Sequence, residues 1–260
     1  MRNQRATEVT PLVQFTDEEL LLLGAEHPVV DAPYLNTLQP AERALAARVA
    51  YRSLCSHGAI AVDDGSGLEL PESHVTMLQL RAAATTVLVV SRATMCDGVM
   101  RYHHLGADRM VVEDVSDAGA HEFRLVPQHA LAATLRQFCA VDGAADGHGP
   151  PVTVTEAGFA TGDAAAELWG EGLAQFDATV WRADPSHTAP APVLGYLLGT
   201  GGSWRVDRDG LAGGAAATVR LTAVGAAEVA DSILHTLLTD PAGASTVGEG
   251  AEAQPDANGI

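Results

Sequence analysis

Histidine and cysteine are the residue types best placed here to do metal or acid–base chemistry, and their spacing argues against both. The ten histidines contain no HExxH and no HxxxH near a cysteine. His103 and His104 are adjacent, so on a strand they point to opposite faces and cannot share one ion. They read as one packed and one polar strand residue. Cys55, Cys96 and Cys139 are an odd number with no CxxC pair. That excludes a disulfide framework and fits reduced thiols acting as small buried hydrophobes. No GxSxG elbow is present. Gly199-Thr200-Gly201-Gly202 has the glycines of a phosphate loop without the GK[ST] ending, and it joins two strands, so it reads as a hairpin turn. Asp63, Asp64 and Asp184 are acidic loop positions with no cleft around them. We therefore expect no catalytic residue, no metal site and no cofactor, and a binding protein in place of an enzyme. An enzyme with an unrecognised site is the competing class.

Composition narrows the partners. The formal net charge is −18 and the pI about 4.7. All fifteen basic residues are arginine. Such a field repels phosphate backbones, which argues against nucleic acid. Aromatic residues are only 5%, so the core must rely on Ala, Val and Leu. No run of 18 apolar residues exists to span a membrane. Met1 to Arg5 leads into polar residues, not an apolar signal segment, and a cytoplasmic location is expected.

The elements that would position any site follow from the periodicities. Thr16 and Glu19 form a capping box before Leu20 to Leu23. A second helix is expected over 41–57, with Leu45, Val49 and Leu54 at helical spacing and Gly58 just past its end. Residues 59–70 read as a β-hairpin around Asp63-Asp64-Gly65-Ser66-Gly67, and Pro71 opens another helix to about Ala83. Helix, helix, hairpin, helix is the order of a winged-helix-like unit. Its wing carries Asp63, Asp64, Glu69 and Glu72, the wrong sign for phosphate, and only Arg43, Arg48 and Arg52 offer a basic face. A winged-helix transcription regulator is thus the alternative function.

Beyond residue 84 the period becomes that of strands: 85–92, 99–105, 110–115 and 121–126, then a helix over 127–138. Residues 142–151 have linker composition. A helix is expected over 163–175. Strands at 177–183, 193–198, 203–207 and 217–222 follow, and a helix over 224–238 closes the chain's ordered part. Residues 241–260 have the composition of a disordered tail. The order of elements repeats. Tyr102 and Tyr196 are 94 residues apart, Met110 and Trp204 likewise, and the Arg-Leu pairs at 124 and 220 follow at 96. The repeat predicts two equivalent sheet-and-helix copies, 85–138 and 177–238, with the tyrosines in matching places. Their helices carry apolar stripes at Leu131, Leu135 and Phe138, and at Val229, Ile233 and Leu237.

The expected fold is therefore α+β. A winged-helix-like N-terminal part (1–83) precedes a duplicated antiparallel β-sheet/helix unit with pseudo-two-fold symmetry (84–240). The loops joining the first two strands of each copy, 93–98 and 184–192, should be equivalent, yet they differ in length and type. That divergence marks the first as free to bind a partner. Met95, Cys96 and Met100 are the candidate contact residues, since flexible methionines suit a helical ligand.

Several segments together resemble one family. They are the capped Glu19-Leu20-Leu21-Leu22-Leu23 helix, Ala44-Leu45-Ala46-Ala47-Arg48, His57 to Asp64, and the Gly195-Tyr196-Leu197 and Trp204 strands before a C-terminal helix. Over residues 15–240 the chain is similar to the EspG family, cytosolic chaperones of actinobacterial type VII (ESX) secretion. The resemblance implies a quasi-two-fold central sheet flanked by helices. It also implies a helical secretion substrate of the PE/PPE or WXG100 type as partner, with no cofactor, no nucleic acid and no membrane insertion. Neither the particular partner nor the oligomeric state follows from it.

Overall fold

A computed structural model describes residues 12–56, 58–61, 68–160, 166–183, 193–208 and 218–238. The wing turn at 62–67, the loop 184–192 and the tail 241–260 lie outside these residues. Strand β1 (Val13–Thr16) leads into α1 (Asp17–Leu22), α2 (Pro33–Thr37) and α3 (Pro40–Ser56). The hairpin β2 (Ile60–Ala61) and β3 (Leu68–Glu69) and helix α4 (Glu72–Ala83) follow. A four-strand meander comes next: β4 (Thr86–Ala93), β5 (Gly98–Leu105), β6 (Arg109–Ser116) and β7 (Ala120–Pro127), closed by α5 (Leu131–Cys139). Strand β8 (Val152–Thr155), α6 (Glu156–Ala160) and α7 (Ala166–Trp169) lead to a second meander. Its strands are β9 (Gly172–Arg182), β10 (Leu194–Gly199), β11 (Ser203–Arg208) and β12 (Thr218–Ala223), closed by α8 (Val229–Leu238).

All the long strands belong to one antiparallel sheet, in the order β1-β7-β6-β5-β4-β9-β10-β11-β12-β8. The seam is β4 against β9, paired from Thr86↔Arg182 to Ala93↔Gln175. Joining the meanders here removes two open edges, and the remaining edges are four-residue strands that offer little template to another chain. One sheet face carries α5 and α8 over Leu88, Val90, Phe176, Tyr196 and Leu198. The other is covered by two separate layers: α1, α3 and α4 over the first meander, α6 and α7 over the second.

Local signals hold where they rest on backbone chemistry. Thr16 Oγ1 accepts from Glu19 N–H at 3.3 Å, and Glu19 Oε2 accepts from Thr16 N–H at 2.9 Å, completing the capping box. Gly58 takes φ +91°, and Ala59 N–H donates to Leu54 O at 2.9 Å, which stops α3.

Tertiary context changes other expectations. Leu45 and Val49 do not face the core; they are 56% and 46% exposed, and α3 buries Ala46, Ala50 and Leu54 instead. Of the cysteines only Cys139 is buried, while Cys55 and Cys96 are exposed. The helix expected over 163–175 gives way to α7 and then β9. Gly170 at φ +66° ends α7, and from 172 the inward positions alternate. Residues 13–16, which fall in the expected winged-helix-like part, are a strand of the main sheet. The segment 142–151 is no loose linker: Ala145 N–H donates to Gly199 O, Gly147 N–H to Val224 O, and Ser203 Oγ to Ala145 O. Tyr102 and Tyr196 are not in matching places. Tyr102 pairs with Val89 and packs beneath the N-terminal layer, whereas Tyr196 pairs with Phe176 and packs beneath α8. They lie on opposite faces, because β9 presents Thr179 to Val89 and Phe176 three residues earlier.

Candidate functional site

Met95 stands at the tip of the turn between β4 and β5, 89% exposed. The turn is held by its own polar groups. Thr94 Oγ1 accepts from Cys96 N–H at 3.2 Å and Asp97 N–H at 3.1 Å, and Thr94 N–H donates to Asp97 O at 2.8 Å. The methionine is thus displayed on a firm loop and is not part of the core. It borders an open cleft of about 250 Å³ shared with Trp169, Leu173 and Leu197. The far wall is fixed by the β10–β11 turn. Gly201 N–H donates to Trp169 O at 2.8 Å and Thr200 N–H to Glu171 O at 3.0 Å. A Cβ on Gly199 would lie 2.1 Å from Trp169 O, so glycine is required there. This is the hairpin turn expected from sequence. Of the other two candidates, Cys96 is exposed beside Met95. Met100 lies further along β5, half-buried against the cluster of Val87, Val89 and Tyr102, and does not line the cleft. The structure therefore brings Met95 and Cys96 together and separates Met100 from them.

Sequence reasoning missed a buried ionic hub beneath the N-terminal layer. Glu113, on β6, accepts from Arg81 Nε at 2.7 Å and Nη2 at 3.0 Å, and contacts His104 Nε2 and His121 Nδ1, each at 2.7 Å. The opposite nitrogen of His121, Nε2, meets Asp17 Oδ1 at 2.6 Å. Asp17 Oδ2 in turn accepts from Tyr34 N–H at 2.8 Å and Leu35 N–H at 3.1 Å, capping α2, whose own Ala32 cannot. Gly119, at φ +74°, lets the β6–β7 turn meet Asp17; a Cβ there would lie 2.7 Å from Tyr34 Cβ. The chain α4–β6–β7–α1–α2 is thereby tied by charge. The sequence signal was the carboxylate pair Glu113-Asp114 inside the otherwise apolar run Met110 to Val115.

Electrostatics fix the protonation states. Burial would raise the Glu113 carboxyl, but the bonds from His104 and His121 and the Arg81 charge outweigh it and hold it well below its ordinary 4.5. Burial would lower His121, but its bonds to Asp17 and Glu113 outweigh that and raise it above 6.5. An imidazole lying between two carboxylates donates from both nitrogens, so His121 is a cation of the hub beside Arg81. Burial dominates at His104 and lowers it despite the Glu113 bond, so it stays neutral and donates from Nε2. His27, edge-on to His104, is pushed to about 4, first by burial and then by the nearby His104 imidazole and Arg81 guanidinium. On the opposite face burial pushes His103 to about 3. Both adjacent histidines are therefore packed, on different faces. The hub is sealed from solvent, with Asp17, Arg81, His104, Glu113 and His121 all buried. It can fasten helices but cannot reach a ligand. Among the described residues, no three His, Cys, Asp or Glu side chains are grouped to hold a metal ion, and no helix is long and apolar enough to cross a membrane.

Two antiparallel meanders fused edge to edge, with helices on both faces, define a mixed α+β protein built on one large sheet. No protein-family model matches the chain, and no curated protein matches it by sequence. Among solved structures, it is similar to the Mycobacterium tuberculosis type VII secretion system chaperone EspG5, determined in complex with a PE25-PPE41 dimer. The TM-score is 0.56 at 12% identity, over 87% of this chain and 97% of that one. At that identity the likeness is one of fold.

Proposed function

We propose that this chain is a cytoplasmic type VII secretion chaperone that binds a helical substrate of the PE/PPE or WXG100 type and catalyses no reaction. The observation that supports it most is the fold likeness to EspG5, a chaperone solved with a PE25-PPE41 dimer bound. In this reading 1–83 and 84–240 are the two domains. The copies 85–138 and 177–238 are related by a pseudo-two-fold axis through the β4·β9 seam, with the register offset that the two tyrosines require. The substrate helix lies against Met95 and Cys96, with Trp169, Leu173 and Leu197 supplying the apolar floor. Methionine suits this task because its unbranched thioether adapts to an irregular helix surface. Met100 serves the core and supports the turn from below.

The test is co-expression with candidate PE/PPE pairs and with WXG100 proteins, followed by co-purification. Capture of one such helical partner is expected, and Met95→Asp should abolish it. A chain that purifies alone against every candidate would sink the reading.

A further inference from the structure

The search for unsatisfied groups leads to the α5 side of the first meander. There Arg92, Arg101 and Arg124 line a cleft of about 390 Å³ with Val99, Asp114 and Phe138. The charges do not balance. Asp114 is saturated: Oδ1 accepts from Arg101 Nε at 2.5 Å, and Oδ2 accepts from Arg101 Nη2 at 2.6 Å and Arg124 Nη2 at 2.7 Å. Glu122, the cleft's other carboxylate, accepts from Gln14 Nε2 at 2.8 Å. Arg92 meets no carboxylate among the described residues. Its guanidinium carbon lies 5.0 Å from the Phe138 ring, which Arg101 also covers at 4.1 Å. Its one hydrogen bond is long, from Nη1 to Phe138 O at 3.4 Å, and its Nε is buried with no partner.

A buried guanidinium N–H without an acceptor is unfavourable by the full desolvation of that group, so an oxygen ligand placed there relieves it. We infer that Arg92 anchors a binding site for a carboxylate in this cleft. The chemistry selects that class. Three arginines against two carboxylates leave one positive charge, which a monoanion matches and a phosphate dianion exceeds. The edge of the Arg92 fork that carries Nε and Nη2 makes no bond, and a carboxylate's two coplanar oxygens match that edge. Val99 and Phe138 then receive an aliphatic or aromatic body. The carboxylate belongs either to a free small acid or to an acidic side chain of a docked protein. The site stands whether or not the chain is a secretion chaperone.

The experiment titrates the full chain at fixed ionic strength, following the Arg92 Nε–H resonance and the heat of binding. The probes are benzoate, its neutral isostere benzamide, and a helical glutamate-rich peptide blocked at both ends. Saturable binding of benzoate or of the peptide is expected, with none for benzamide. Arg92→Gln should weaken it by about tenfold or more, and Arg136→Gln, at an exposed ion pair elsewhere, should leave it unchanged. Binding of benzoate marks a free acid as ligand; binding of the peptide alone marks a protein carboxylate. If Arg92→Gln does not fold, Arg92→Lys keeps the charge and loses the fork, and should bind more weakly than the native chain. No saturable binding of either probe, equal binding of benzamide, or undiminished binding by the Arg92 variants overturns the site.

Discussion

The two meanders share strand order, closing helix and an apolar seat for their outer covers, but only the first cover is also fastened by buried charge. Over β4–β7 the cover of α1, α2 and α4 is fastened through Arg81, Glu113, His121 and Asp17. Over β9–β12 the cover of α6 and α7 has an apolar interior, Phe159, Leu168 and Trp169 packing on Trp204, Val206, Val219 and Leu221, with an exposed Arg208–Glu156 ion pair beside it. Charge taken out of water gives little net stability but punishes any wrong partner, whereas apolar contact is tolerant and non-directional. The first half is therefore the specific half and the second the adaptable one. The Met95 cleft opens beside the second cover, with Trp169 on its wall.

The largest effect should come from the hub. Glu113→Gln leaves Arg81 buried without its anion and His121 with Asp17 alone, and should cost about 3–5 kcal/mol. Hydrogen exchange should show the loss in residues 13–83 first. If protection falls equally in β9–β12, the halves are not fastened separately and the contrast fails.

A somewhat smaller loss is expected in the second half. Leu221→Ala should cost about 2–5 kcal/mol by transfer and cavity terms, measured by urea unfolding, and the cost should not change with pH. A pH-dependent cost would mean that charge matters there too.

The pH response itself should belong to the first half. His27, His103 and His104 have folded pKa values below the ordinary 6.5, at about 4 for His27 and about 3 for His103. The unfolded chain binds more protons there, so stability falls as pH drops below 6.5. His121 works the other way: its contribution is complete below 6.5 and is lost as pH rises through its raised folded value. Glu113 adds stability that is present above 4.5 and lost as pH falls toward its depressed value. Denaturant midpoints from pH 5 to 9 should thus decline on both sides of a maximum, and His121→Gln should flatten the alkaline side. An unchanged alkaline limb in that variant would remove His121 from the account.

The smallest expected effect on stability is at the cleft. Met95→Asp should shift unfolding by less than about 0.5 kcal/mol, as a surface change, while capture of a helical partner is lost. A large drop in melting temperature would show that the turn packs more tightly than its exposure implies.

Much of the fold was legible because strand alternation, the Thr16–Glu19 box and Gly58 act through the local backbone. Two features escaped for a different reason. The faces of Tyr102 and Tyr196 depend on register, and period-2 alternation carries no absolute face until a partner strand fixes it; a one-residue slip inverts every side chain. The hub joins Asp17 to His121 and Arg81 to Glu113 across most of the first half, so no local window contains it. At the candidate site, the divergent loop pointed to Met95 and Cys96. Met100, two residues into β5, was drawn in by residue type although the pleat turns it inward.

The edge strands also impose a timetable. β1 is made early, but its partner β7 appears only about a hundred residues later, Thr16 pairing with Ala120. At about 5–20 residues per second, that is a wait on the order of ten seconds during synthesis. Throughout it, Phe15 and the capped α1 have no sheet to rest on, and Asp17 has no imidazole. The N-terminal layer therefore cannot settle on the sheet until β7 is made, although its own residues precede that strand.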